Sequence, residues 1–292
     1  MNFEVIFMTD PNLWNQLLIW PIVNVLVTFY KLFELLRVPG VMGFAIIGMT
    51  AFIRLLLYPL MQSQMTSAKK MSNLKPHLDA LNVRHKDNKQ ALQQAQLALY
   101  KEHGVNPAAG CLPLLVQMPI LIALYNVFYQ VLGNGNLAKL VEEINAILYL
   151  PALRLTTLDL TFFGINLGLK PEAWQTAGWW LLAVPIITGL LQWWQSKLMM
   201  PASITNTTNT TNTTNTTNKK TEEKNPSSAK ASEGKEDTAM EMQKQMAIIT
   251  PIMFGFFAFQ FPLGLSLYWN VFGLFGIMQQ LSVNRQNNPI IK

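Results

Sequence analysis

The chain is 292 residues long, half of them hydrophobic and 13% charged, with 22 Lys and Arg against 16 Asp and Glu for a formal charge of +6. Continuous apolar runs approaching the ~20 residues that cross about 30 Å of hydrocarbon mark a polytopic helical membrane protein and exclude a β-barrel, whose segments are short and alternating. The single cysteine, Cys111, rules out a disulfide framework, no metal-ligand spacing is present and no cofactor is implied, and the basic residues flank apolar runs, where topology and anionic lipid account for them without DNA.

Met1 to Pro11 contain Glu4 and Asp10 but no Lys or Arg, unlike the basic start of a secretory signal. Between Asn12 and Arg37, residues Trp14, Leu18, Val25, Phe29, Leu32 and Leu36 recur at three, four or seven, with Gln16, Asn24, Thr28, Lys31 and Glu34 on the opposite arc. That pattern predicts an interfacial amphipathic helix within an extracytoplasmic segment 1–37. A spanning helix is the competing reading, and the charge distribution prefers the first. Val38-Pro39-Gly40 then breaks the chain before a first predicted span, 41–62, which Pro59 should kink near its inner end.

Inside this span lies Arg54, the one charged residue deep within an apolar run. An arginine at a helix centre costs about 2.5–3.5 kcal/mol on insertion scales, and no Asp or Glu lies in any other predicted span to neutralise it. Either water or a visiting partner solvates it, or it snorkels toward Gln62 and Gln64, about 12–15 Å further along a helix rising 1.5 Å per residue.

Residues 63–105 are the most polar structured stretch, and their excess of Lys and Arg places them in the cytoplasm. Met71, Leu74, Leu78 and Leu81 form one stripe, Asn82 to Asn88 reads as a turn, and Leu92, Ala95 and Leu99 form a second stripe that ends at Gly104. The prediction is a helical hairpin whose basic face is either simply solvated or meets lipid headgroups or ribosomal RNA. A second span, 108–132, starts among Pro107, Pro113 and Pro119 and carries Gln117 and Asn126, which serve either as helix-to-helix glue or as part of a wet wall. The loop 133–177 is extracytoplasmic, with Leu137 to Leu150 too short to span and read as a second surface helix.

The third span, 178–198, is bracketed by Trp179, Trp180, Trp193 and Trp194, and its Thr188, Gln192 and Gln195 share one face, again groove wall or packing surface. A low-complexity Asn/Thr tract opens the linker 199–243, which is expected to be disordered and cytoplasmic. Spans four and five, 246–261 and 264–284, are joined by a tight turn at Phe261-Pro262. The fifth carries Ser266, Tyr268, Trp269, Asn270, Gln279 and Gln280, and 285–292 is a cytoplasmic tail with Arg285 and Lys292.

Three motifs are specific enough to name a family: Thr50-Ala51-Phe52-Ile53-Arg54 with Tyr58-Pro59-Leu60; Asn106-Pro107 and Gly110-Cys111-Leu112-Pro113 through Gln117-Met118-Pro119-Ile120 to Ala123-Leu124-Tyr125; and Phe261-Pro262 with Gly264-Leu265 and Leu267-Tyr268. In these, from Trp14 to Arg285, the sequence resembles the YidC-type membrane protein insertases. The resemblance implies an all-α fold in which five transmembrane helices enclose a hydrophilic groove open to the cytoplasm and lipid, in a bacterial inner membrane, with the N-terminus outside and the C-terminus inside. It implies that Arg54 is the positive centre of that groove and that Thr50, Tyr268 and Trp269 lie where a substrate helix slides past. Gln117, Asn126, Thr188, Gln192, Gln195, Ser266 and Asn270 complete the candidate wall. The implied partners are nascent membrane proteins and the bilayer, with the Sec translocon and ribosome as further candidates; no bond is made or broken. The large extracytoplasmic domain of some bacterial members has no counterpart here, and the linker after span three is unusually long.

Two rivals remain at this level. A small-solute transporter or channel would suit a lone intramembrane charge, yet neither internal repeats nor paired ionisable groups along a path are found. An intramembrane enzyme would need a nucleophile and base within the bilayer, whereas His77, His85 and His103 all lie in the hairpin.

Overall fold

The computed structural model describes residues 9–85, 88–104, 112–133, 137–199 and 238–286, and within these the chain is mostly helical. The Asn/Thr-rich part of the expected linker and the start of the second predicted span lie outside the described residues. A π-helical turn, Asn15–Ile19, leads into α1 (Trp20–Leu35). The wider turn precedes Pro21, whose ring would clash with the carbonyl of a regular preceding turn.

Asn15–Leu35 is long and apolar enough to cross a membrane, whereas α2 (Val41–Leu56) reaches that length only with the start of α3 (Tyr58–Asn73), from which it is bent by 62°. The break falls at Leu57, just ahead of Pro59, whose ring and missing N–H prevent a straight continuation. The straight part of the segment read as 41–62 therefore ends at Leu56, and Arg54 lies within one turn of the bend. Beyond α3, α4 (Lys75–Arg84) and α5 (Lys89–Glu102) form an antiparallel pair, with Gln96 donating to Asn82 at 3.1 Å and the rings of His77 and His103 5.9 Å apart. Asn88 caps α5 by accepting the Ala91 N–H at 3.0 Å.

After α6 (Leu112–Gly133), α7 (Leu137–Ala146) buries Leu140, Val141 and Ile144. A two-residue hairpin follows, β1 (Thr161–Phe162) with β2 (Ile165–Asn166), which the sequence reading did not anticipate. Phe163 and Gly164 both have positive φ, the geometry of a tight hairpin turn, and the Phe162 ring lies on Gly43 of α2, where any Cβ would collide with it. A short turn, α8 (Trp174–Ala177), precedes α9 (Ala183–Met199).

The last two helices are α10 (Thr238–Gln260) and α11 (Leu263–Gln286). α10 starts well inside the segment read as linker 199–243, because Thr238 to Met246 hold good helix formers with no Gly or Pro to stop the helix propagating outward. α9 and α10 cross where Gly189 faces Gly255; a Cβ on Gly189 would lie 3.9 Å from the Gly255 Cα, so the two backbones meet directly.

The hydrophobic core joins α1, the first half of α2, α6, α7, the 147–181 loop and the start of α11. Here the stripe assigned to α1 needs correction. Ile19, Ile22, Val23, Leu26, Val27 and Tyr30 face the core, while Leu32 and Leu36 are exposed. Asn24, placed on the polar arc, is buried because its amide donates to the Ile147 carbonyl at 3.0 Å and its oxygen accepts the Tyr149 N–H at 2.7 Å. The loop is tied on further by the Asp159 N–H donating to the Tyr30 hydroxyl at 2.9 Å, and by Leu263 and Gly264 N–H groups donating to Leu169 and Leu167 carbonyls, each at 2.8 Å.

Candidate functional site

The helices α2, α9 and α11 converge on Arg54, which is only 5% exposed. Its Nη2 donates to the Phe272 carbonyl, and its guanidinium carbon lies 3.5 Å from the centroid of the Phe272 ring. A Cβ on Gly276 would lie 2.7 Å from that Nη2 and 2.9 Å from the Gln195 Nε2, so the missing side chain at 276 is what lets arginine and glutamine meet α11 at one point. Snorkelling does not describe this placement. Tyr58 lies opposite Gln279, whose Nε2 donates to the Tyr58 carbonyl at 3.2 Å, so on these parallel helices Phe272 and Gly276 are level with Arg54 itself. The Phe272 carbonyl and its aromatic face contact the guanidinium, and Arg54 Nε is left unpaired.

Two further expected residues form a pair toward the other end of α11. Trp269 Nε1 donates to Gln192 Oε1 at 3.3 Å, and the Trp269 ring stacks on Phe254 of α10, centroids 4.2 Å apart. Thr188 and Ser266 border a small space beside Trp269, closed by Leu121, Phe254 and Ala258. The Thr188 hydroxyl donates to the Val184 carbonyl at 2.9 Å, while Ser266 Oγ and Asn270 Oδ1 are buried without a partner.

Other expected residues are placed differently. Thr50 is fully buried and its hydroxyl donates to the Ile46 carbonyl at 2.6 Å, so it offers a passing helix nothing in this conformation. Tyr268 is 0% exposed and packs in the core, with its ring 5.8 Å from that of Phe272, the ring on which the Arg54 guanidinium lies. Asn126 is half-buried on α6, and the Gln117 side chain lies outside the described residues.

Sequence reasoning missed Phe272 and Gly276, and named Gln279 and Gln64 only as polar residues of the fifth span and of a flank, outside the site. Gln279 Nε2 also approaches Gln62 Oε1 at 3.4 Å, and Lys69 Nζ donates to the Asn284 carbonyl at 3.3 Å, so α3 is clasped to the end of α11 by polar groups. Gln64, read as polar flank, is 3% exposed with both amide atoms unpaired, between the buried Met61 and Met65. The glycines at 273 and 276 inside an apolar run were the available signal, since small residues mark close helix approach.

Comparison with known proteins bears on what this cluster does. The family described as 60Kd inner membrane protein matches residues 34–289. The membrane protein insertase YidC of Oceanobacillus iheyensis is 32% identical over 291 residues, covering 97% of this chain and 88% of that protein. The membrane protein insertase MisCA of Bacillus subtilis is 31% identical over 280 residues, 94% of this chain and 81% of its own length. YidC of Aeromonas salmonicida is 32% identical over 244 residues, which are 84% of this chain but 33% of that longer protein.

Proposed function

The chain belongs to the 60Kd inner membrane protein family, that of the YidC-type insertases, and on that premise we propose that it inserts nascent membrane proteins into a bacterial inner membrane without making or breaking a covalent bond. Five crossings are proposed, at 41–62, 108–132, 178–198, 246–261 and 264–284, with the first helix in the interface, the N-terminus outside and the C-terminus inside. The basic α4–α5 hairpin then faces the cytoplasm, where a ribosome or the Sec translocon would dock.

One observation carries the mechanism: Arg54 is a buried cation with no acidic residue on α2, α3, α9 or α11. Among the described residues the acceptor it meets is a neutral carbonyl, Phe272 O, which an incoming carboxylate outcompetes because it brings a full negative charge and can accept two parallel N–H bonds from the guanidinium. An acidic client tail is attracted by about 1 kcal/mol at 4 Å in water and about 4 kcal/mol at an effective dielectric of 20. The tail crosses a shortened path, and the client's apolar segment then leaves sideways into lipid, driven by about 0.8 kcal/mol per buried CH₂. Gln192, Gln195 and Trp269 offer the passing backbone hydrogen-bond partners that lipid lacks.

Reconstitution in liposomes tests this. Arg54→Ala should slow insertion of single-span clients with acidic tails about tenfold, the rate equivalent of 1.4 kcal/mol, with Arg54→Lys recovering part of it. Wild-type rates for Arg54→Ala would overturn the electrostatic step.

A further inference from the structure

Between α2 and α11, beside the bend at Leu57, lies a cavity of about 270 Å³ that borders Arg54 and opens toward Leu55 and Met278. Its lining is mostly apolar, from Ala51, Leu55, Phe275 and Met278, with Arg54, Tyr58, Gln279 and Ser282 at its border. We propose that it binds the phosphate headgroup of an anionic phospholipid.

Charge is the first reason. The cavity borders a buried guanidinium whose Nε is unpaired, and α2, α3, α9 and α11 bring no carboxylate to it. The second is donor chemistry. A phosphodiester presents only acceptor oxygens, and the residues around the cavity include a guanidinium and the hydroxyl-bearing Tyr58 and Ser282; the Gln279 amide nitrogen is already engaged by Tyr58 O and Gln62. A peptide would also bring N–H groups, for which this lining has few free acceptors. The third is the rim. Leu55 is 72% and Met278 56% exposed, so an apolar strip leads outward from that polar border, as an acyl chain below a headgroup requires. Tyr58, at the bend, has the amphipathic ring that favours headgroup depth.

Native mass spectrometry of the full chain, titrated with phosphatidylglycerol, phosphatidylcholine, inorganic phosphate or an acidic peptide, tests the site without any insertion step. One phosphatidylglycerol should be retained at least tenfold more tightly than phosphatidylcholine, and Ala51→Leu with Ser282→Leu, which fill the cavity, should abolish that preference. Equal retention of the two lipids overturns the proposal. So does release of the lipid by millimolar phosphate, which makes this a free-anion site, or by the acidic peptide, which makes it a client site. Because the filled variant can fail to fold, Leu55→Cys in a Cys111→Ser background, labelled with a fluorophore, reads the same rim unfilled. Its emission should be quenched more by spin-labelled phosphatidylglycerol than by spin-labelled phosphatidylcholine, and equal quenching overturns the proposal as well.

Discussion

Around Leu124 and Tyr268, side chains from α1, α2, α6, α7 and the start of α11 are fully enclosed, and the long-range polar contacts there, at Asn24, Asn145 and Tyr30, tie a loop to a helix or to itself. Around Arg54 and Gln64, helices α2, α3, α9 and α11 enclose polar groups left incomplete. Of seven buried side-chain nitrogen and oxygen atoms without a partner among the described residues, five belong to Arg54, Gln64, Asn270 and Gln280. An unpaired buried polar group costs about 1–3 kcal/mol, so the second region is held at a cost that the first offsets. A dry, interlocked end lets the other end stay polar and ready to exchange partners.

Substitutions in the two regions should therefore differ in size and in sign. Leu124→Ala, at a 0% exposed position, should lower stability by about 2–5 kcal/mol, read by thermal or chemical denaturation in detergent; a loss under 1 kcal/mol would mean this end is not the anchor. Asn24→Ala leaves the Tyr149 N–H and Ile147 carbonyl unpaired and should cost about 1–3 kcal/mol, with hydrogen exchange accelerated at the Tyr149 amide in particular.

Gly276→Ala forces Arg54 and Gln195 apart at a stability cost of about 1 kcal/mol, yet it should depress insertion of acidic-tailed clients several-fold, more than its stability loss explains. Gln64→Met is the opposite case. Removing two unpaired amide atoms while keeping similar volume should raise stability by about 1 kcal/mol, and a marked loss would mean that Gln64 has partners this conformation does not display.

The candidate cluster was legible in part. Arg54 stood out because a charge inside an apolar run is costly wherever the helix sits. Gln192 and Gln195 were found because spacing of three or four puts residues on one helix face, and in space they do reach α11. Thr50 and Tyr268 show the limit of that reasoning. A helical period tells which residues share a face but not which neighbour the face meets, and both residues turned out to be enclosed. Asn24 looked like surface for a related reason, since its partner at Ile147 is 123 residues away in the chain.

What the amino-acid order determined by itself was local and compositional: where apolar helices run, where Pro59 breaks one, where the polar hairpin lies and which charge lacks a counter-ion. Those properties depend on neighbours within a few residues or on the solvent a segment can tolerate. Tertiary structure alone decided which face of α1 is buried, that α3 bends back to be clasped by α11, and that Phe272 and the gap at Gly276 hold Arg54. Each of these depends on a contact between segments far apart in the chain, and such contacts exist only once the helices have packed.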